Sequence, residues 1–224
     1  MTEDVSTKSR RSQEQRRRAT ANKLIEATIE VINEQGYSGL KAAAITKKAG
    51  VTWGAVQHLF GEKENLLLTV AIRTYEELSM VLNADISADA PLEERVDSIV
   101  EATWRAYQSE AYLAMVEILR GSRGQAKFNK EIRKRQQTVN ADVRETWLRI
   151  FADCDSAESV IDDARDLVTL TLSGLASRRI FLRNEQDPRN LIRRLKRATV
   201  DILEEAEALP GGSEPDRGDH LILV

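Results

Sequence analysis

The stretch Ala49–Leu67, AGVTWGAVQHLFGEKENLL, puts Trp53, Gly54, Gln57 and His58 on one face of a short helix, since residues four apart are neighbours on a helical surface. These residue types suit contact with a polyanion better than bond-making. An indole offers flat apolar area and one N–H donor, Gln57 can pair with an adenine edge or donate to a phosphate, and His58 is placed for a phosphate. Gly54 costs about 1 kcal/mol relative to Ala inside a helix, so its use points to close approach by a base edge or a phosphate. On the residues alone two plainer roles stay open: Trp53 as a staple of the preceding turn, and His58 as an ordinary surface histidine.

Two short helices must position that face, one from about Leu40 to Ala49 and one from about Trp53 to Phe60, meeting at Gly50. Glycine there permits the positive φ of a sharp helix-to-helix turn. Ile45 and Ala49 face inward from the first helix, Val51 plugs the turn, and Val56 with Leu59 or Phe60 faces inward from the second. Thr52 is expected to cap the second helix by accepting a hydrogen bond from an amide of its first turn. This is the helix-turn-helix pattern, whose second helix enters a DNA major groove with its N-terminal residues leading.

Any amphipathic helix pair with a glycine turn shares that pattern, so the surrounding charge matters. Residues 1–63 carry a net charge of +4, whereas residues 64–224 carry −7. The chain is a basic head on an acidic body, which suits a protein that offers one end to a polyanion. Arg10, Arg11, Arg16, Arg17 and Arg18 precede the motif, and Lys41, Lys47, Lys48 and Lys63 flank it. Each cation that neutralises a phosphate releases counterions and adds binding that weakens with salt.

The remaining elements read as helix throughout. Only Pro91, Pro188, Pro210 and Pro215 interrupt the chain, and no segment alternates as a strand would. The expected class is all-α, in four parts. Residues 1–17 are a flexible basic arm, 18–64 a helix-turn-helix DNA-binding domain, 65–209 a helical effector-binding and dimerisation domain, and 210–224 an unstructured tail. A single cysteine, Cys154, leaves no disulfide framework and fits a reducing, cytoplasmic setting. No apolar run suits a signal peptide or a membrane span. With His58 and His220 the only histidines and no Gly-rich phosphate loop, neither catalytic residues, nor a metal, nor a cofactor are expected.

From Arg18 to Leu67 the sequence resembles the DNA-binding domain of TetR-family (tetracycline-repressor-like) transcriptional regulators. The likeness lies in a first helix ending in "GY", a helix carrying "I...AGV" and then Thr, a recognition helix closing on "HLF", and "EKE" before "LL". The resemblance implies base or backbone contacts from Thr52, Trp53, Gly54 and Ala55. It implies phosphate contacts from Gln57, His58 and Lys63, with Lys41 at the start of the preceding helix, and Arg17 and Arg18 add charge from the arm. Gln57 stands where the family usually has Tyr, and Thr46 where it usually has Ala; Thr46 fits if its hydroxyl bonds back to a carbonyl of its own helix.

The resemblance also implies a dimer, because one recognition helix covers too few base pairs for genomic specificity. The last two long helices suit the role. Leu170, Gly174, Leu175, Arg178, Phe181 and Leu182 stripe one, Leu191, Leu195, Ala198 and Ile202 the other, and with two-fold mates they would form a four-helix bundle. A small-molecule effector is expected among Trp104, Tyr107, Tyr112, Met115, Leu119, Trp147 and Phe151, although such stripes are also ordinary core. The expected function is a homodimeric repressor released from a palindromic operator by that effector. The rival reading is a helical protein-interaction module whose basic head binds an acidic partner.

Overall fold

The computed structural model describes residues 3–82, 86–154, 157–181 and 187–204, with side chains from 13 onward except those of Leu82 and Phe181. Nine α-helices and no strand occur among the described residues. They are α1 (Glu3–Gly39), α2 (Ala42–Ala49), α3 (Trp53–Phe60), α4 (Lys63–Leu82), α5 (Leu92–Tyr107), α6 (Glu110–Ser122), α7 (Ala126–Ile150), α8 (Glu158–Phe181) and α9 (Arg189–Glu204). No helix among these residues is long and apolar enough to cross a membrane.

The first 17 residues, expected as an arm without structure, instead continue α1 back to Glu3. Their Glu, Gln, Lys and Arg are good helix formers, and extending an existing helix avoids the cost of nucleating one. Arg18 donates to Glu14 at 2.7 Å, one turn away. Lack of apolar residues decides packing here, not helicity. Gly36 breaks the helix at the expected place, with φ 68° and ψ 177°. The expected tail, 210–224, lies outside the described residues.

α1 and α4 run antiparallel. Arg73 on α4 donates to Asn22 near the middle of α1, and Lys63 at the start of α4 donates to the carbonyl of Leu40 just past the end of α1. α6 crosses beside them, with Asn33 donating to the Glu110 carbonyl and the Tyr37 and Ser122 hydroxyls sharing a 3.2 Å hydrogen bond. One apolar cluster runs unbroken from Leu24, Ile45 and Val56 through Val70, Tyr107 and Met115 to Leu172 and Leu203. The helix-turn-helix unit and the body therefore share a core along α4.

Charges pin the outer helices. Arg95, 3% exposed, donates to the Ile150 carbonyl and to both oxygens of Asp153, tying α5 to the end of α7. Asp162 on α8 accepts from Arg144 on α7 and pairs with Arg165. Lys196 on α9 reaches Asp97 and Glu101 on α5.

Candidate nucleic-acid interface

α2 and α3 are short, and each is held by burial of one large aliphatic side chain: Ile45 and Val56 are both fully buried. Gly50 takes the left-handed conformation expected of it (φ 65°), and the amide of Val51 bonds back to the Thr46 carbonyl at 3.1 Å. The Thr46 hydroxyl donates to the carbonyls of Ala42 and Ala43, which disposes of its polar group within its own helix. At the far end of α3, Gly61 turns the chain (φ 76°) and Asn65 donates to the Phe60 carbonyl at 2.9 Å. Both ends of the recognition helix are thus fixed to elements that belong to the core.

One expectation about this helix needs correction. Thr52 occupies the N-cap position with extended backbone, but its side chain makes no capping hydrogen bond; its carbonyl instead accepts from Ala55 at 3.1 Å. The hydroxyl is left exposed at the tip of the motif. Trp53 is half-buried and packs on the core, which fits the stapling role that its sequence left open. The packing is that of a staple, and part of the side chain stays open to solvent.

Gly54, Gln57 and His58 are exposed and Ala55 is half-buried. A Cβ added at Gly54 would meet only the Thr52 hydroxyl, at 3.7 Å. Nothing inside the protein requires a glycine there. Lys41 is exposed beside α2, and Lys63 is half-buried with its ammonium 3.4 Å from the Leu40 carbonyl, at the junction of α1, α2 and α4.

The other sequence-predicted cations divide. Arg16, Arg17, Arg18, Gln13, Thr20, His58, Leu59 and Phe60 line a cleft of about 760 Å³ between α1 and α3. The helical extension of α1 builds the part of this wall that carries Gln13, which was invisible as a site residue while 1–17 read as an arm. Arg18 is engaged by Glu14, although both are largely exposed. Lys48 lies on the surface between Glu34 at 2.7 Å and Glu30 at 3.1 Å on α1. Hydrogen bonds to Glu34 and then Glu30 hold its ammonium above the ordinary lysine range. Lys48 thus braces α2 against α1 while remaining exposed, as Lys47 does.

In the body, Tyr107, Tyr112, Met115 and Phe151 are fully buried, Trp104 and Trp147 nearly so, and Leu119 partly. The Tyr107 and Tyr112 rings stack at 4.5 Å, Trp147 lies 5.3 Å from Phe151, and the guanidinium of Arg95 covers Phe151 at 5.6 Å. Of the stripe residues, Leu170 (57% exposed) and Leu191 (44%) face outward, with Gly174 and Arg178 exposed and Ala198 and Ile202 half-buried. Leu175 and Leu195 face the chain's own core, at 8% and 5% exposed. A helix lying on a core has room for one outward stripe only, and 170, 174 and 178 take it at four-residue spacing. The Phe181 side chain and Leu182 lie outside the described residues.

Comparison with known proteins agrees with this geometry. The profile of bacterial regulatory proteins of the tetR family matches residues 24–70. The chain is 33% identical over 204 residues to the HTH-type transcriptional regulator BetI of Brucella anthropi, covering 90% of this chain and 87% of that protein. It is 24% identical over 202 residues to the HTH-type transcriptional regulator CymR of Pseudomonas putida, covering 89% and 96% respectively. Among solved structures, a putative TetR-family transcriptional regulator of Mesorhizobium loti shares the fold with a TM-score of 0.69 at 15% identity, over 84% of this chain and 96% of that one. The chain belongs to the TetR family of DNA-binding, helix-turn-helix transcriptional regulators.

Proposed function

We propose that the protein is a homodimeric repressor that holds a palindromic operator through α3 and leaves it when a small molecule binds the body. The observation that carries the DNA reading is Gly54: an exposed helical glycine with no neighbour to demand it, flanked by exposed Thr52, Gln57 and His58. A helix stabilised by Ala at that position would cost the protein nothing internally, so the demand comes from a surface brought against it.

Each residue then has a place. Thr52, Gly54, Ala55 and the open part of Trp53 meet bases or the groove wall, and Gln57 takes over the phosphate contact that a tyrosine makes in relatives. Lys41, Lys63 and His58 grip phosphates near the motif, while Arg16 and Arg17 on α1 reach the backbone on the other side of the cleft. Arg18 contributes once it leaves Glu14, a swap of one exposed carboxylate for a phosphate that costs little.

Dimerisation is supported by the outward Leu170 and Leu191, large apolar side chains exposed beside Gly174 on α8 and Ala198 on α9. Two-fold pairing of these helices would set the two α3 elements for half-sites about 34 Å apart, or a multiple of that. Effector release requires a ligand that favours a spacing of the heads unable to span that distance, since a ligand with equal affinity for both states shifts nothing.

Selection of bound sequences from random DNA by the purified chain tests this reading. A palindrome with two half-sites is the expected product, with at least ~10³-fold preference over scrambled DNA at physiological salt. Recovery of no common sequence would refute specific regulation and favour an acidic protein partner for the basic head. Transcription in vitro from a promoter overlapping the selected site then separates repression from activation.

A further inference from the structure

Three fully buried tyrosines lie near one another inside the body: Tyr75 of α4, Tyr107 of α5 and Tyr112 of α6. Gln136 of α7 donates to the Tyr75 hydroxyl at 2.8 Å. The Tyr112 hydroxyl has no hydrogen-bond partner, and that of Tyr107 makes no hydrogen bond of ordinary geometry, although Thr169 of α8 approaches it. Their rings stack with planes 15° apart, so each covers one face of the other. An unpartnered buried hydroxyl is costly and uncommon. Two buried phenols on stacked rings, beside a third, put polar groups into an apolar surround, which is how small-molecule sites are built.

The chemistry of a partner follows from what surrounds them. Burial raises the pKa of all three phenols, so each stays an O–H group, and those of Tyr107 and Tyr112 can donate to a ligand. The buried charged residues among those described are Arg95 and Asp162. Both terminal nitrogens of Arg95 are committed to Asp153 and the Ile150 carbonyl, with its buried Nε left without a partner, and Asp162 is committed to Arg144 and Arg165. A carboxylate ligand would have to share Arg135, whose terminal nitrogen pairs with Glu76 at 3.3 Å while its buried Nε has no partner, or recruit exposed Arg120. A cationic ligand would find no uncommitted buried carboxylate, and the stacked rings cannot frame it on their shared faces.

We propose that Tyr107 and Tyr112, with Tyr75 beside them, are the recognition point for an uncharged, largely apolar effector bearing a carbonyl or similar acceptor oxygen. This deepens the effector reading above and rests on it. Tyr112 lies on the helix whose other end carries Gly121 and Ser122 against Tyr37 of α1, so a ligand seated there bears on the element that adjoins the DNA-binding unit.

The test uses the full chain, free of DNA, with four probes of similar shape: acetophenone, methyl benzoate, benzoate and benzylamine, each up to about 10 mM. The two neutral acceptors should raise the melting temperature by ~2–5 °C, and the charged pair should not. The double variant Tyr107→Phe/Tyr112→Phe should fold, melt no lower than the parent without ligand, and show no response to the neutral probes. A larger response to benzoate or benzylamine, a neutral-probe response that survives in the double variant, or no response to any neutral probe would overturn the proposal. So would a double variant that melts lower without ligand, since its hydroxyls would then already be satisfied, by water for instance. Operator binding, measured separately on the same proteins, keeps the two readings apart. A neutral probe that binds through the tyrosines without releasing DNA leaves this site standing and sinks the release mechanism alone.

Discussion

A Cβ on Gly121 of α6 would stand 2.3 Å from Cγ of Tyr37 on α1. The tyrosine ring rests on the backbone of α6, and its hydroxyl reaches on to Ser122. Gly121→Ala therefore forces the ring, or α6 itself, to move. Overpacking of this kind costs about 1–3 kcal/mol, which should appear as a melting temperature lower by several degrees. Tyr37→Phe keeps the ring and loses only the shared hydroxyl contact, roughly 0.5–1.5 kcal/mol. If α6 carries the effector signal to the DNA-binding unit, Gly121→Ala should also change operator affinity more than Tyr37→Phe does. Equal operator affinity in both variants would mean that the contact is only structural.

Gly54 and Lys63 separate two kinds of DNA contact. Gly54→Ala meets nothing closer than the Thr52 hydroxyl at 3.7 Å, so it should fold at least as well as the parent, with up to about 1 kcal/mol gained in helix propensity. Operator binding should nevertheless fall, because the methyl group intrudes where a base or phosphate sits. Lys63→Ala should weaken all DNA alike and reduce the salt slope by about 1 per protomer. Trp53→Ala is a less clean probe, since the indole also packs on the core and its removal costs stability as well as contact. Unchanged operator affinity in Gly54→Ala would remove the main support for α3 as the reading helix.

The Arg95 and Asp153 pair gives the body a dependence on acid. The Arg95 guanidinium, hydrogen-bonded to Asp153, holds that carboxyl below its usual value of about 3.9. A depressed folded pKa means that the stabilisation is complete above the unfolded value and is lost as pH falls through the folded one. In urea unfolding, Asp153→Asn should therefore be less stable than the parent at pH 7. The gap should close as the pH drops below ~3.9. A gap that stays constant down to pH 3 would assign the loss to packing rather than to the charge.

Much of this was legible in the sequence, for identifiable reasons. Gly36, Gly50 and Gly61 all sit at positive φ where helices end, and glycine is the residue those conformations demand. Ile45 and Val56 are buried as their spacing requires. The misses arose where periodicity carries no information. Composition alone made residues 1–17 an arm, yet helicity needs no apolar face, and the extension brought Gln13 to the cleft. Lys48 is a surface cation as expected, but its pairing with Glu30 and Glu34, more than a dozen residues away in sequence, follows no spacing rule. No spacing rule reports that the buried Tyr112 hydroxyl lacks a partner, because that depends on what the neighbouring helices place beside it.

Leu170 and Leu175 lie five residues apart on α8 and should respond oppositely to substitution. Leu170 is 57% exposed and Leu175 is 8% exposed. If α8 and α9 pair across a two-fold axis, Leu170 is covered only in the dimer. Burying a leucine is worth about 1.5–3 kcal/mol, and symmetry applies the loss in both protomers. Leu170→Glu adds the cost of an unpaired charge, so dimer dissociation should rise by about 100-fold or more. Sedimentation velocity should then show monomers at micromolar concentration with a helical spectrum close to the parent's, and binding to the selected palindrome should be lost while weak contact with any DNA persists. Leu175→Ala removes core instead, at about 2–5 kcal/mol. That variant should melt earlier yet still sediment as a dimer below its melting point. Should Leu170→Glu remain dimeric, the exposed stripe on α8 is not the interface, and the pairing must be sought on another face.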